Sequence, residues 1–259
     1  MFKFKFKDIE FYSNRKFNNQ LKKLIILPGL GCSALDYSFL LRRFSKKYQI
    51  FIFEIPNYNF SFNDKYEKDY LIEFAKKIYL FLKFKRIIKF SIYSHSMSGI
   101  VLILLFRFFF KEKNKLLKIV NNEGNLILSD TSLLTKKTIS YDLNFFKETG
   151  YNNLKNKCAA SNDLSVKKWS LNLKNISALD FYKYSYYSYK WSMRSFLLSF
   201  YKNFFKKKIY IYGEKSKNLE LLSKMIGEKK NCIKNGGHFS YIDNQSDFMK
   251  ILGTFLVEK

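Results

Sequence analysis

The sequence is poor in the residues that form tight turns and disulfide bonds. Its 259 residues include 2 prolines, 10 glycines and 3 cysteines. Cys32, Cys158 and Cys232 are far apart and form no Cys-x-x-Cys pair, so neither a zinc site nor a disulfide framework is indicated. We therefore expect no metal and no cofactor, and we expect a cytoplasmic protein, because unpaired cysteines are typical of a reducing compartment.

Long hydrophobic runs are also absent. The longest one, residues 100–110, is interrupted by Arg107 and has about half of the ~20 residues that cross a bilayer. From Phe2 to Lys7 the chain alternates Phe and Lys, whereas a signal peptide has a continuous apolar run. We expect no membrane span, and we expect a strand at the N-terminus.

Acidic residues are scarce, with 21 Asp and Glu against 47 Lys and Arg and a formal net charge of +26. Such a charge often indicates a nucleic acid, an anionic membrane or an acidic partner. However, Lys, Asn, Phe, Ile and Tyr share AT-rich codons, so nucleotide bias would produce the same composition. The lysines are spread along the whole chain, and no DNA-binding or RNA-binding motif is present. We expect no nucleic-acid function.

The apolar content is large enough for a folded core, since 47% of the residues are hydrophobic and 19% are aromatic. Alternation over residues 2–12 predicts an antiparallel edge pair. Apolar runs that end in turn residues predict buried strands, at residues 24–27, 50–53, 87–93, 126–128, 208–212 and 232–233. Helical patterns separate them, so we predict an α/β protein with a mainly parallel sheet flanked by helices.

Strand patterns disappear between residues 133 and 205, where the residue pattern is helical and rich in aromatic residues. We predict one domain over residues 1–259, with 133–205 as a helical cap insertion. Helices are also predicted at residues 34–48, 66–84, 219–226 and 247–257, and from the end of the third buried strand to residue 113.

The segment Ser94-x-Ser96-x-Ser98 follows a predicted buried strand and opens a helix. A sharp turn there exposes the Ser96 hydroxyl at the end of the sheet, and it directs the Met97 backbone N–H at a developing oxyanion. Small residues two positions before and after the nucleophile are needed for strand and helix to approach each other. The alternative is an ordinary helix start with a serine N-cap.

The chain has two histidines. His238 lies in a Gly-Gly-His loop near the C-terminal end, where an imidazole can accept the Ser96 proton and return it to the leaving group. A surface or capping role is the alternative. We expect His95 to point away from the site and to serve in packing.

Residues 94–99, Ser-His-Ser-Met-Ser-Gly, resemble the Gly-His-Ser-Met-Gly-Gly elbow of the α/β-hydrolase superfamily. The resemblance extends to the loops at residues 27–31, 54–57, 212–216 and 236–239, which are similar to the oxyanion loop, the Asp-x-Pro-Gly loop, the loop after the penultimate strand and the catalytic histidine loop. Residues 123–126 with Asp130 resemble a group of poorly characterised hydrolases. The resemblance implies the α/β-hydrolase fold with a helical cap, and an oxyanion hole made by the backbone N–H groups of Leu30 and Met97.

The open question is which carboxylate would complete a catalytic triad with Ser96 and His238. The superfamily usually has Asp three residues after the position of Gly213, where this chain has Ser216. Asp130, at the end of the predicted fourth strand, is our first candidate, and Glu214 is the alternative. A dyad or another carboxylate also stays open, and Asp130 has a second interpretation as a helix cap.

The predicted reaction is acyl transfer from a small-molecule ester or thioester to water through an acyl-enzyme. One alternative is a methyl esterase of biotin synthesis acting on an ester carried by acyl carrier protein, an acidic partner that a basic cap would attract. The cap lysines in question are Lys155, Lys157, Lys167, Lys168, Lys183 and Lys190. Another alternative is a binding module that has lost its chemistry. A third is a dinucleotide-binding oxidoreductase, because Gly29-x-Gly31-x-x-Ala34 with Glu54 fits that fingerprint.

Overall fold

The computed structural model describes residues 1–18, 20–58, 68–110, 115–131 and 134–257. Within these ranges one sheet contains eight strands, β1 (Phe2–Phe6), β2 (Ile9–Ser13), β3 (Lys22–Leu27), β4 (Tyr48–Phe53), β5 (Phe90–His95), β6 (Leu116–Asn122), β7 (Lys208–Gly213) and β8 (Lys230–Ile233). Their order is β1-β2-β4-β3-β5-β6-β7-β8. β2 pairs antiparallel with β1 and β4, and the other neighbours are parallel.

The hydrophobic pattern explains this order. β4 and β5 are buried along their whole length, as expected for central parallel strands covered on both faces. β1 and β2 alternate in exposure, which suits an antiparallel edge. The predicted fold class, a mainly parallel sheet with an antiparallel N-terminal edge and flanking helices, is confirmed.

The position of the fourth parallel strand was predicted wrongly. The prediction was residues 126–128, but β6 ends at Asn122, and Leu128 begins a 3₁₀ helix, Leu128–Thr131. β6 contains the buried polar residues Lys118, Asn121 and Asn122. The Lys118 ammonium, for example, donates to the Phe255 carbonyl at 2.6 Å. This hydrogen bond compensates for the burial of a lysine, a residue that makes β6 look unlike a buried strand in the sequence.

The helices are α1 (Ser38–Arg43), α2 (Tyr70–Phe84), α3 (Ser98–Leu104), α4 (Thr135–Ile139), α5 (Leu143–Phe145), α6 (Tyr151–Ala159), α7 (Leu164–Ser170), α8 (Ala178–Ser192), α9 (Phe196–Phe204), α10 (Glu220–Lys224), α11 (Ser240–Asp243) and α12 (Gln245–Val257). A 3₁₀ turn, Ala34–Tyr37, precedes α1, and a π-helical turn, Leu105–Phe109, follows α3. None of the described helices is long and apolar enough to cross a membrane.

The chain between β6 and β7 contributes α4 to α9, and no strand lies among its described residues. The division into one domain with a cap stays a prediction, and its first residue, Leu133, lies outside the described residues. Tyr66 and Lys113, which bound two predicted helices, also lie outside them. α2 begins instead at Tyr70, where the Asp69 carboxylate accepts hydrogen bonds from two backbone N–H groups.

The carboxyl ends of β3, β5, β6 and β7 meet at one edge of the sheet, because these strands are parallel neighbours. In an open α/β sheet this edge is where ligands bind. The loops after Leu27, His95, Asn122 and Gly213 build the candidate site there.

Candidate active site

Ser96 occupies the turn between β5 and α3 in a left-handed backbone conformation, with φ 53°. Its N–H donates to the Asn122 carbonyl at 3.1 Å, and its own carbonyl accepts from Gly99 at 2.8 Å and Asn125 at 3.0 Å. A non-glycine residue adopts this conformation only where its surroundings impose it. The turn therefore holds the Ser96 side chain at the sheet edge, as predicted for an elbow.

Two serines stand where this type of elbow usually has glycine, and both hydroxyls are used. Ser94 Oγ donates to Asn121 Oδ1 at 2.9 Å, and Ser98 Oγ donates to the Pro28 carbonyl at 2.5 Å. Both serines are fully buried, so a hydroxyl without a partner would be destabilising there. Ser98 thereby ties the elbow to the loop that follows β3.

His238 contacts both Ser96 and a carboxylate. Its Nε2 lies 3.0 Å from Ser96 Oγ, and its Nδ1 lies 2.8 Å from Glu123 Oε2. Because an ionised carboxylate can only accept, Nδ1 carries the proton and Nε2 is free to accept from the Ser96 hydroxyl. This is the arrangement of nucleophile, base and orienting carboxylate found in serine hydrolases.

Glu123 is the residue directly after β6, with φ 44°. Its N–H donates to the Ile211 carbonyl at 2.9 Å, and its Oε1 accepts from the Gly213 N–H at 2.8 Å. The Glu123 side chain is 4% exposed, whereas that of His238 is 43% exposed. The Gly213 N–H thus fixes the carboxylate inside the protein, and the carboxylate orients an imidazole that opens to solvent.

Gly213 lets β7 pass close to the histidine loop. A Cβ at this position would lie 2.4 Å from the Gly237 carbonyl oxygen and 2.5 Å from Gly236 atoms. Asp243 Oδ2 accepts from the Gly237 N–H at 2.7 Å. The absence of a side chain at Gly213 therefore brings the His238 loop within reach of Glu123.

The two carboxylates expected to complete the triad lie elsewhere. Asp130 lies inside the 3₁₀ helix Leu128–Thr131, and its Oδ2 accepts from the N–H groups of Leu126 and Ile127 at 2.7 and 3.0 Å. Burial raises the pKa of Asp130 to about 6. Glu214 Oε2 accepts from the Asn235 N–H at 2.9 Å. Neither is hydrogen-bonded to His238 in the described structure, where the carboxylate that contacts His238 Nδ1 is that of Glu123.

Glu123 was missed because the strand before it was misplaced. The resemblance drew attention to residues 123–126, yet it was read together with Asp130. A strand ending at Asn122 would have placed an acidic residue at the sheet edge, beside the turn of Ser96. The signal is the run Leu116 to Val120, once Lys118 is allowed as a buried lysine.

The predicted oxyanion donors lie on loops that approach each other. A Cβ on Gly29 would lie 3.1 Å from Ser96 Cβ, so the loop after β3 passes directly beside the nucleophile. The Gly29 carbonyl accepts from the Cys32 N–H at 3.0 Å, which fixes the peptide that carries the Leu30 N–H. Neither this N–H nor that of Met97 donates to another residue that the structure describes. Both N–H groups are therefore candidates for the predicted oxyanion hole.

Trp169 of α7 covers this loop. Its indole Nε1–H donates to the Leu30 carbonyl at 3.0 Å, and its ring stacks on Phe239 with centroids 5.7 Å apart. A Cβ on Gly31 would lie 2.9 Å from the indole. The chain segment between β6 and β7 thus contacts both the oxyanion loop and the residue after His238.

The groups that would bind a dinucleotide already have partners within the protein. Glu54 accepts from Ala34 N–H at 3.0 Å and Ser33 Oγ at 3.3 Å, so its carboxylate is used within the protein. Burial raises the pKa of Glu54 to about 6. Because Trp169 covers Gly31, the glycine loop serves the Ser96 turn instead of a pyrophosphate.

His95 does more than pack, because it is also hydrogen-bonded to the backbone of the His238 loop. It is fully buried, its Nε2 lies 3.0 Å from the His238 carbonyl oxygen, and its Nδ1 lies 3.0 Å from Tyr37 Oη. Among the described residues, no hydrogen bond joins the His95 ring to Ser96 Oγ. No group of three or more His, Cys, Asp or Glu side chains in the described ranges could hold a metal ion.

Comparison with protein-family models gives no match. A search of curated proteins finds no match either. Solved structures do match over nearly the whole chain. A carboxylesterase of the thaumarchaeon Nitrososphaera gargenis is similar with a TM-score of 0.75 and 13% identity, covering 96% of this chain and 94% of its own.

MenH from S. aureus is similar with a TM-score of 0.74 and 12% identity, covering 97% of this chain and 98% of its own. MGS-M2, an α/β hydrolase from a Medee basin deep-sea metagenome, has a TM-score of 0.68 and 14% identity, with 99% and 98% covered. Structural similarity at such low identity shows the fold alone and leaves the substrate open. This chain has the α/β-hydrolase fold.

Proposed function

We propose that this protein is a serine hydrolase that cleaves a carboxylic ester or thioester through an acyl-enzyme intermediate. Ser96 is the nucleophile, His238 the general base and acid, and Glu123 the orienting carboxylate. The observation that carries the proposal is the chain of hydrogen bonds from Glu123 Oε2 through His238 to Ser96 Oγ, at 2.8 and 3.0 Å. Both distances lie within the reach that proton transfer needs.

In acylation, Ser96 Oγ attacks the carbonyl carbon while His238 Nε2 takes its proton. The Glu123 carboxylate stabilises the resulting imidazolium, and the N–H groups of Leu30 and Met97 donate to the oxyanion. When the tetrahedral intermediate collapses, the carbon–oxygen or carbon–sulfur bond breaks. The leaving alcohol or thiol receives the proton from Nε2.

In deacylation the same groups act on water. His238 Nε2 removes a proton from water, the hydroxide adds to the acyl carbon, and Ser96 Oγ leaves with the proton from Nε2. The carboxylic acid is released and the resting state is restored. The half-exposed His238 imidazole gives water access to this step.

A burst experiment tests the proposal. With excess p-nitrophenyl butyrate, we expect a rapid release of p-nitrophenol, about one equivalent per enzyme, before slower turnover, because acylation precedes deacylation. Ser96→Ala should abolish both phases. Ser94→Ala, the same kind of change two residues away, should retain the burst. Wild-type protein that folds but releases nothing would contradict the proposal and favour the binding module.

A second candidate substrate is an ester carried by an acidic acyl carrier protein. The observation that favours it is a set of exposed lysines on the helices between β6 and β7, namely Lys157, Lys167, Lys168 and Lys190, with Lys155 and Lys183 half-buried. Attraction between such a surface and an acidic carrier raises the association rate and is screened by salt. The kcat/KM for a carrier-linked methyl ester should fall with ionic strength while that for a small ester stays constant. Salt-insensitive kinetics on the carrier-linked ester would contradict this candidate.

A further inference from the structure

The second histidine, His95, directly precedes the nucleophile in the chain. His95 Nε2 faces the His238 carbonyl oxygen at 3.0 Å, and a carbonyl can only accept, so Nε2 carries the proton. Its Nδ1 is then a lone pair, and it accepts from the Tyr37 hydroxyl at 3.0 Å. Both ring nitrogens of His95 are satisfied in one tautomer.

The other side of Tyr37 reaches the oxyanion loop. The Gly29 N–H points at Tyr37 Oη, 3.5 Å away. Gly29 also packs directly on the imidazole, since a Cβ there would lie 2.7 Å from His95 Nδ1. A directed series of hydrogen bonds therefore runs from Gly29 N–H through Tyr37 and His95 to the backbone of His238.

The surroundings keep His95 neutral. Burial, and secondly the neighbouring His238, hold the pKa of His95 well below its usual value. Protonation would place a hydrogen on Nδ1 facing the Tyr37 hydroxyl and remove the acceptor there. The nearby Cys32 thiol, 3.8 Å from Nδ1, is also neutral, because burial raises its pKa to about 12. His95 is thus a neutral hydrogen-bonding group, with Nε2 as donor and Nδ1 as acceptor.

The backbone bond matters because packing surrounds only part of the His238 side chain. Its ring is half-exposed, so it is located mainly by Glu123 and by the loop that carries it. The Gly237 N–H is bonded to Asp243 Oδ2 on one side of this loop, and the His238 carbonyl to His95 on the other. Loss of the second contact frees the loop to move away from Ser96.

We propose that His95 is a positioning residue, which sets the distance between the oxyanion loop and the His238 backbone so that His238 Nε2 stays within reach of Ser96 Oγ. The proposal rests on the proposed serine-hydrolase function and adds a residue to it. His95 touches no reacting atom. A displacement of about 1 Å in such a site costs about 10²-fold in rate.

Kinetics give the first test. His95→Phe keeps a ring but loses both hydrogen bonds, so kcat on p-nitrophenyl butyrate should fall about 10²-fold with little change in KM. His95→Gln keeps a donor near the His238 carbonyl and should recover most of that loss. Rescue by glutamine distinguishes positioning from simple packing.

Two tyrosines provide a matched pair of variants. Tyr37 and Tyr241 stack on each other with centroids 4.8 Å apart in the same buried cluster. Each change to Phe removes one buried hydroxyl, but of the two only the Tyr37 hydroxyl is hydrogen-bonded to His95. We expect kcat to fall about 10-fold in Tyr37→Phe and to stay within about twofold of wild type in Tyr241→Phe, with similar losses of melting temperature.

An NMR measurement tests the geometry without catalysis. With only two histidines, the Nδ1–H proton of His238 that donates to Glu123 is readily assigned in histidine-labelled protein. Its downfield signal should persist in His95→Gln and broaden or move in His95→Phe. If wild type fails to acylate, the proposed function fails while this signal still decides the positioning role. Unchanged kcat together with an unchanged His238 signal in folded His95→Phe would overturn the inference.

Discussion

Replacing Glu123 with Gln is the most informative change at this site. Both carboxylate oxygens accept from N–H donors, Oε2 from His238 Nδ1 and Oε1 from Gly213, each at 2.8 Å. Glutamine has a single acceptor. If its oxygen serves Gly213, its NH₂ faces Nδ1 and forces the imidazole into the tautomer with hydrogen on Nε2. That nitrogen can no longer accept the Ser96 proton.

The opposite orientation is no better, because the glutamine NH₂ would then face the buried Gly213 N–H, donor against donor. Either arrangement loses the negative charge that stabilises the imidazolium. In a Ser-His-Asp enzyme the corresponding amide substitution costs about 10⁴-fold in kcat, or about 5.5 kcal/mol of transition-state stabilisation. We expect a loss of about 10³–10⁴-fold here.

The assay is the initial rate of p-nitrophenyl butyrate hydrolysis at saturating substrate, with melting temperature measured beside it. Asp130→Asn and Glu214→Gln make the same acid-to-amide change at the two other candidate carboxylates. Both should retain wild-type kcat within about threefold, because neither contacts His238. A Glu123→Gln protein that folds and keeps wild-type kcat would refute the assignment.

Three further changes address the parts that hold the site together. The pKa of Asp130, raised to about 6 by burial, lies above its unfolded value near 3.8, so wild type loses stability as pH rises through this window. Urea unfolding at pH 4.5 and 7.5 should therefore show Asp130→Asn gaining about 2 kcal/mol relative to wild type, and a pH-independent difference would refute the burial argument. Gly213→Ala, whose Cβ would meet the Gly237 carbonyl at 2.4 Å, should lower kcat more than about 10²-fold, while Gly253→Ala, with 3.9 Å of space, should keep full activity. Trp169→Phe loses the hydrogen bond to Leu30 and should lower kcat about 10-fold. Trp191→Phe loses a hydrogen bond to Asp69 and should leave kcat unchanged at a similar cost in stability. Equal kcat losses in the two tryptophan variants would contradict a specific role for Trp169.

Local signals were sufficient to single out Ser96 and His238, the proposed nucleophile and base. The elbow is a contiguous segment whose context, a buried strand before it and a helix after it, can be recognised in the sequence. The late Gly-Gly-His loop singled out His238 from only two histidines. Most strands were also predictable, because the central ones are nearly continuous apolar runs.

The acidic residue beside His238 could be assigned only from the position where β6 ends, and tertiary contacts determine that position. β6 contains Asn121 and Asn122, whose amides bond to Ser94, Tyr93 and Ser240 across the sheet. No local pattern reveals those partners, so residues 126–128 gave the stronger strand signal. A shift of a few residues in one strand moved the predicted carboxylate from Glu123 to Asp130. The hydrogen bonds of His95 were hidden for the same reason, since its partners are distant in the sequence.

The most direct measurement is covalent labelling of the folded protein with a fluorophosphonate, located by peptide mass spectrometry. The account predicts one adduct, on Ser96, formed rapidly in wild type and far more slowly in Glu123→Gln and His238→Ala. Absence of an adduct in folded wild type, or an adduct on another serine, would contradict the claim that Ser96, His238 and Glu123 form a working triad.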